Sequence, residues 1–115
     1  MKNYEFESLI PFNIKEKIKY VSNRIMIKHI LSEEAGTIMA LAVDYGKVYK
    51  PDTIAFITFL RVLEGKAEIV VDNISTFMQE DDCIIVPAHT PFSLEANHRF
   101  KIVLIVLKNS GPKAM

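Results

Sequence analysis

The 115-residue chain contains no tryptophan, one cysteine, four glycines and five prolines, and its formal net charge is zero. Each shortage excludes something. Cys83 stands alone, so no internal disulfide can staple the fold, and such usage fits a reducing compartment. Lys plus Arg equals Asp plus Glu at 14 each, which leaves no basic surplus to hold a polyanion and argues against nucleic-acid binding. No apolar run approaches the roughly 20 residues of a membrane span. The opening Met1–Glu7 lacks the apolar centre of a signal peptide, so a cytoplasmic location without membrane contact is the expectation. The few glycines form no phosphate-cradling loop, and no Gly-x-Ser-x-Gly is present. His29, His89 and His98 share no metal-ligand spacing with one another or with Cys83.

What is present is a globular composition, 50% apolar and 24% charged, at the size of a single domain. Strand signals dominate from residue 25 to residue 107. The expected strands are Ile25–Leu31, Ile38–Asp44, Ile54–Leu63, Lys66–Asp72, Ser75–Gln79, Asp82–Val86, Phe92–Ala96 and Lys101–Leu107. Turn residues separate them at Gly36, Asp44-Tyr45-Gly46, Glu64-Gly65, Asp72-Asn73 and Pro87 to Pro91. Short, evenly spaced strands without intervening helices predict an all-β sandwich or barrel in one domain. A short turn at Asn13–Ile18 is the sole helix candidate. The division that follows is an N-terminal arm and edge segment at 1–24, a barrel at 25–108 and a flexible tail at 109–115.

Alternation along the strands shows which faces are dry. Ala67, Ile69 and Val71 alternate with polar residues, as do Phe92, Leu94 and Ala96. By contrast, 38–43 and 102–107 are apolar on both faces. On 54–63 one face carries Ile54, Phe56, Thr58, Leu60 and Val62, and the other carries Ala55, Ile57, Phe59 and Leu63, broken by Arg61. One core needs one apolar face per strand, so the second faces need a second cover. A homodimer through these sheet faces, with C2 symmetry, is the simplest cover. The alternative is that residues 4–20 cover them within one chain. Both hold if that segment crosses to the partner.

Gly46, Asp52, Ile54, Thr58 and Gly65, followed by Asp81, Pro87, His89, Phe92 and Ala96, stand at spacings through which the stretch 46–96 resembles the cupin family. The family's first motif runs Gly, five residues, His-x-His, three or four residues, Glu, six residues, Gly. Here Gly46 is followed at those intervals by Asp52 and Ile54, Thr58 and Gly65. In the second motif, Asp81 stands for the first glycine, Pro87 follows after five residues, His89 replaces the next glycine, Phe92 the histidine and Ala96 the asparagine. The resemblance implies a double-stranded β-helix, the cupin jelly-roll barrel, with Val62-Leu63-Glu64-Gly65 as a hairpin. Cupins that hold a metal would use the positions occupied here by Asp52, Ile54, Thr58 and Phe92. Isoleucine and phenylalanine have no donor atom, threonine is a poor ligand, and one aspartate cannot hold a divalent ion against water. The expectation is therefore no metal and no cofactor.

The resemblance also places Asp52, Ile54, Phe56, Thr58, Phe92 and His89 around the barrel interior as a ligand cavity, although these side chains could equally fill it. Three functions compete. The first is a non-catalytic, metal-free domain that binds a small apolar molecule or none. The second is a metal-independent enzyme of sugar isomerase or epimerase type using Asp52 with His89. The third is an interaction dimer with a filled barrel. Cys83, inside an apolar strand with no basic neighbour in sequence, reads as a small hydrophobe, His29 as a satisfied or interfacial residue, His98 as a solvated turn residue, and Met39 and Met78 as interior filler.

Overall fold

The structure, a computed structural model, describes residues 6–51 and 55–108. The expected tail and the beginning of the strand expected from Ile54 lie outside the described residues, as do Asp52 and Thr53. A single helical turn, α1 (Ile14–Lys17), precedes eight strands: β1 (Ile25–Glu33), β2 (Gly36–Val43), β3 (Val48–Tyr49), β4 (Ile57–Val71), β5 (Ile74–Gln79), β6 (Cys83–Val86), β7 (Phe92–Glu95) and β8 (Phe100–Leu107). They form two antiparallel sheets sharing β4. One sheet runs β1-β2-β8-β4-β6 and the other β5-β4-β7-β3.

The shared strand is the main departure from the sequence reading. Glu64-Gly65 is not a hairpin. The chain continues through it as one 15-residue strand, whose first half pairs with β6 and β8 and whose second half pairs with β5 and β7. A bulge between Val62 and Glu64 bends the strand. Gly65 then passes at φ +83 so close to β8 that a Cβ would lie 2.2 Å from the Arg99 carbonyl oxygen. The tight hairpin is Asp72-Asn73, both at positive φ as a type I′ turn requires. The turn expected at Gly36 falls one residue earlier, at Glu34-Ala35, and Gly36 opens β2. Two-residue β3 is too short to carry a periodicity, and no strand was expected there.

Inward residues build one core. Leu41 and Val43 from β2, Leu60 and Val62 from the first half of β4, Ala67 and Ile69 from its second half, and Phe100, Ile102 and Leu104 from β8 are all buried in it. Side chains on β4 switch from even-numbered to odd-numbered across the bulge, because one extra residue reverses the alternation. Met78 belongs to the same core and Met39 packs against it, as interior filler should.

The arm covers part of the other face of the first sheet. The Asn13 side chain caps α1 by accepting the Glu16 N–H. A helix this short owes its stability to packing. Ile14, Ile18 and Tyr20 close over Ala40 and Ala42 on the outer side of β2. Lys101 Nζ donates to the Lys15 carbonyl at 2.7 Å and lies 5.0 Å from the Tyr20 ring centroid. Arg99 stacks over that ring at 4.3 Å, and the Tyr20 hydroxyl donates to Glu64 at 2.8 Å. Burial, followed by the hydrogen bond to Glu64, holds the Tyr20 hydroxyl well above the ordinary tyrosine range. Its contribution to folding is thus present below about pH 10 and fades as pH rises through the raised folded value.

Asp44 closes the same end. It accepts the Asn23 N–H at 2.6 Å and Arg99 Nη2 at 3.0 Å. The Asn23 N–H, then the Arg99 guanidinium, hold its carboxyl below the usual aspartate range. A depressed folded pKa means that the stabilisation is complete above the unfolded value, about pH 4, and is lost as pH falls through the folded one. Asp44→Asn is therefore expected to lower the urea midpoint at pH 7 and to flatten its decline between about pH 4 and pH 2. Parallel acid limbs in the two proteins would contradict this.

Candidate functional site

The end of the barrel that carries Thr58 and Phe92 is walled by β4, β5, β6 and β7. Thr58 and Phe92 both face inward, as expected. Thr58 is 1% exposed, its hydroxyl donating to the Phe56 carbonyl at 3.4 Å, and Phe92 is 7% exposed within the core. Phe56 is half-buried just before β4. Asp52 and Ile54 lie outside the described residues. His89 is exposed in the turn after β6, at φ +61.

An apolar cleft of about 270 Å³ opens at this end, lined by Val71, Ile74, Thr76, Ile84, Val86 and Pro87. Register ties it to the two motif positions. Val86 pairs with Thr58, and Val71 pairs with Phe92. The cleft exists because β5 and β6 each pair only with β4, leaving a gap between their other edges. Its floor is continuous with the core, since Val86 is buried in the core and Val71 and Ile84 pack against it. Asp72 is the one titratable group among its described lining residues. A largely apolar pocket with few polar groups suits an apolar ligand.

A larger groove, about 610 Å³, lies at the opposite end of the second half of β4, among Lys66, Glu68, Phe77, Gln79, Asn97 and His98. It occupies the outer side of the second sheet. Glu68 there accepts from Ser75 and Asn97.

The donor set does not suit a divalent metal. Phe92 has no donor, the Thr58 hydroxyl is already engaged, and Ile54 offers only hydrocarbon. Among the described residues no group of three His, Cys, Asp or Glu side chains could hold an ion. Cys83 departs from expectation. It is exposed on the outer side of β6, and its cross-strand partner is Arg61, a basic neighbour invisible in the linear sequence. Arg61 in turn donates to Asp81 at 2.9 Å. His29 and His98 are exposed.

Thr58 and Phe92, named from the sequence, lie at the end of the barrel where this cleft opens, whereas the lining residues Val71, Ile74, Ile84 and Val86 were not among the expected site residues. The gap between the free edges of β5 and β6 has no signature in the linear sequence, because it depends on which strands pair.

No family model and no curated protein matches this chain. Solved structures do. A cupin superfamily protein of Desulfitobacterium hafniense superposes with a TM-score of 0.84 at 19% identity, covering 95% of this chain and 100% of the other. A conserved protein of unknown function from Streptococcus pyogenes gives 0.84 at 21% identity, covering 96% and 94%. A salicylate 1,2-dioxygenase from Pseudoaminobacter salicylatoxidans gives 0.67 at 16% identity, covering 81% of this chain and 27% of the enzyme. The chain has the cupin fold, a double-stranded β-helix, and that fold hosts both enzymes and proteins without assigned activity.

Proposed function

We propose that this chain is a non-catalytic cupin-fold protein that binds a small apolar molecule, without a metal, in the cleft between β5 and β6. The observation that carries the reading is the pairing of Val71 and Val86 with the two motif positions, Phe92 and Thr58. Two of the four positions where cupin chemistry would need coordinating atoms, Ile54 and Phe92, carry only hydrocarbon, and the Thr58 hydroxyl at a third is spent on the Phe56 carbonyl. The barrel centre is packed, so a ligand sits at the mouth, against Ile84 and Val71, and not in the middle. Burying apolar ligand surface there contributes about 25 cal/mol per Å².

Toluene is a suitable probe. Its titration is expected to shift the amide resonances of residues 71–76 and 84–87 in a saturable manner. Ile74→Lys places an ammonium at an exposed position on the cleft wall and is expected to weaken that binding about tenfold while leaving the fold intact. Metal analysis of the same untreated sample is expected to give well under one ion per chain. Stoichiometric zinc, iron, nickel or manganese would sink the proposal, as would resonances that do not respond to toluene.

A further inference from the structure

The arm covers only part of the outer side of the first sheet. Beyond it, an apolar row crosses all five strands in register: Leu31 pairs with Ile38, Ile38 with Ile105, Ile105 with Phe59, and Phe59 with Ile85. Leu31 reaches this row because a bulge after His29 turns it away from the side that His29 occupies. Ile57 and Leu107, paired with each other, extend the row along the strands. Leu31, Ile57, Ile85 and Leu107 are between 42% and 60% exposed. Scattered exposed apolar residues are ordinary; a contiguous set crossing a whole sheet marks an interface.

We infer that a second copy of this chain seats on that face. Five strands at about 4.8 Å spacing and eight residues at about 3.3 Å make a face of roughly 24 by 26 Å. That is about 620 Å² for the whole face, arm included, close to the roughly 600 Å² per partner at the lower end of specific interfaces. A formal net charge of zero sets up no repulsion between like copies. A two-fold pairing needs only that the same patch meet itself.

The face is continuous with the cleft. Ile85 belongs to the row and also lines the cleft, while its neighbours Ile84 and Val86 point inward from the same strand. A partner seated on the row therefore walls the outer rim of the cleft and completes it. This second consequence rests on the function proposed above; the dimer itself does not.

Sedimentation velocity of the full chain tests both, with concentration varied from about 1 to about 200 µM. The wild type is expected at twice the 13.1 kDa chain mass. Ile57→Glu and Leu107→Lys alter side chains already exposed in the single chain, so circular dichroism is expected to be unchanged while the dimer weakens at least ~tenfold. Phe77→Glu, on the outer side of the other sheet, is expected to leave the dimer intact. A wild type that stays at 13.1 kDa throughout overturns the inference. So does a dimer indifferent to Ile57→Glu and Leu107→Lys, or one dissociated by Phe77→Glu. Toluene binding is read separately. If it weakens in the monomeric variants, the partner completes the cleft. Equal binding in monomer and dimer rejects that closure, and a dimer without any binding overturns the proposed function alone.

Discussion

Gly65→Ala is expected to leave little or no folded protein at 37 °C. Two penalties coincide at this residue. Its φ of +83 lies where a side chain clashes with its own backbone, a cost of about 1–3 kcal/mol. The added methyl would also lie 2.2 Å from the Arg99 carbonyl oxygen and 3.0 Å from the Phe100 Cα. Both obstacles are backbone, so no rotamer change relieves them, and overpacking of this kind costs roughly another 1–3 kcal/mol or more. Domains of this size are stable by about 5–15 kcal/mol, so the sum approaches the lower end of that range. Gly65 is also where β4 leaves one sheet for the other, and moving β8 aside would disturb its pairing with both β4 and β2. Urea unfolding of the purified variant measures the loss. A change below about 1 kcal/mol would show that the strand crosses between sheets by another path.

Phe92→Ala is expected to cost about 3–5 kcal/mol and, at the same time, to strengthen binding of small apolar probes. Phe92 belongs to the core, and its cross-strand partner Val71 lines the mouth cleft. Removing the ring leaves a void beside the cleft floor, and voids lined by hydrocarbon stay dry and accept molecules such as benzene. Thermal melts with and without toluene separate the two effects. The variant melts well below the wild type in buffer and recovers more of the difference with toluene, because a ligand that binds only the folded state stabilises it by mass action. An equal toluene increment in both proteins would mean that the void and the cleft do not communicate.

Much of the fold was legible in the sequence because alternation is a local property. Ala67–Ile69–Val71 and Phe92–Leu94–Ala96 displayed their inward sides directly, and the doubly apolar runs at 38–43 and 102–107 pointed to a second cover. Here the arm supplies part of that cover, with Ile14, Ile18 and Tyr20 over Ala40 and Ala42, and the row from Leu31 to Ile85 remains. Bulges were the main source of error. Strict alternation along Ile25–Leu31 would put Leu31 on the face of His29, but one extra residue after His29 puts it on the opposite one, and another beside Leu63 turned an expected hairpin into a bend. A glycine between two apolar runs looks the same in sequence whether the chain reverses or continues. Cys83 illustrates a second limit, since its position in an apolar strand suggested burial while its parity placed it outside, opposite Arg61.

By itself the sequence determined the all-β class, the positions of most strands and the poverty of metal donors at the motif sites. Each of these depends on side-chain type and on a period of two residues. Tertiary structure decided that β4 serves both sheets, that β5 and β6 leave a gap, and that this gap opens beside Thr58 and Phe92. Those outcomes depend on which strands pair, and pairing between residues far apart in the chain is settled by the free energy of the whole core, not by any one strand's own pattern.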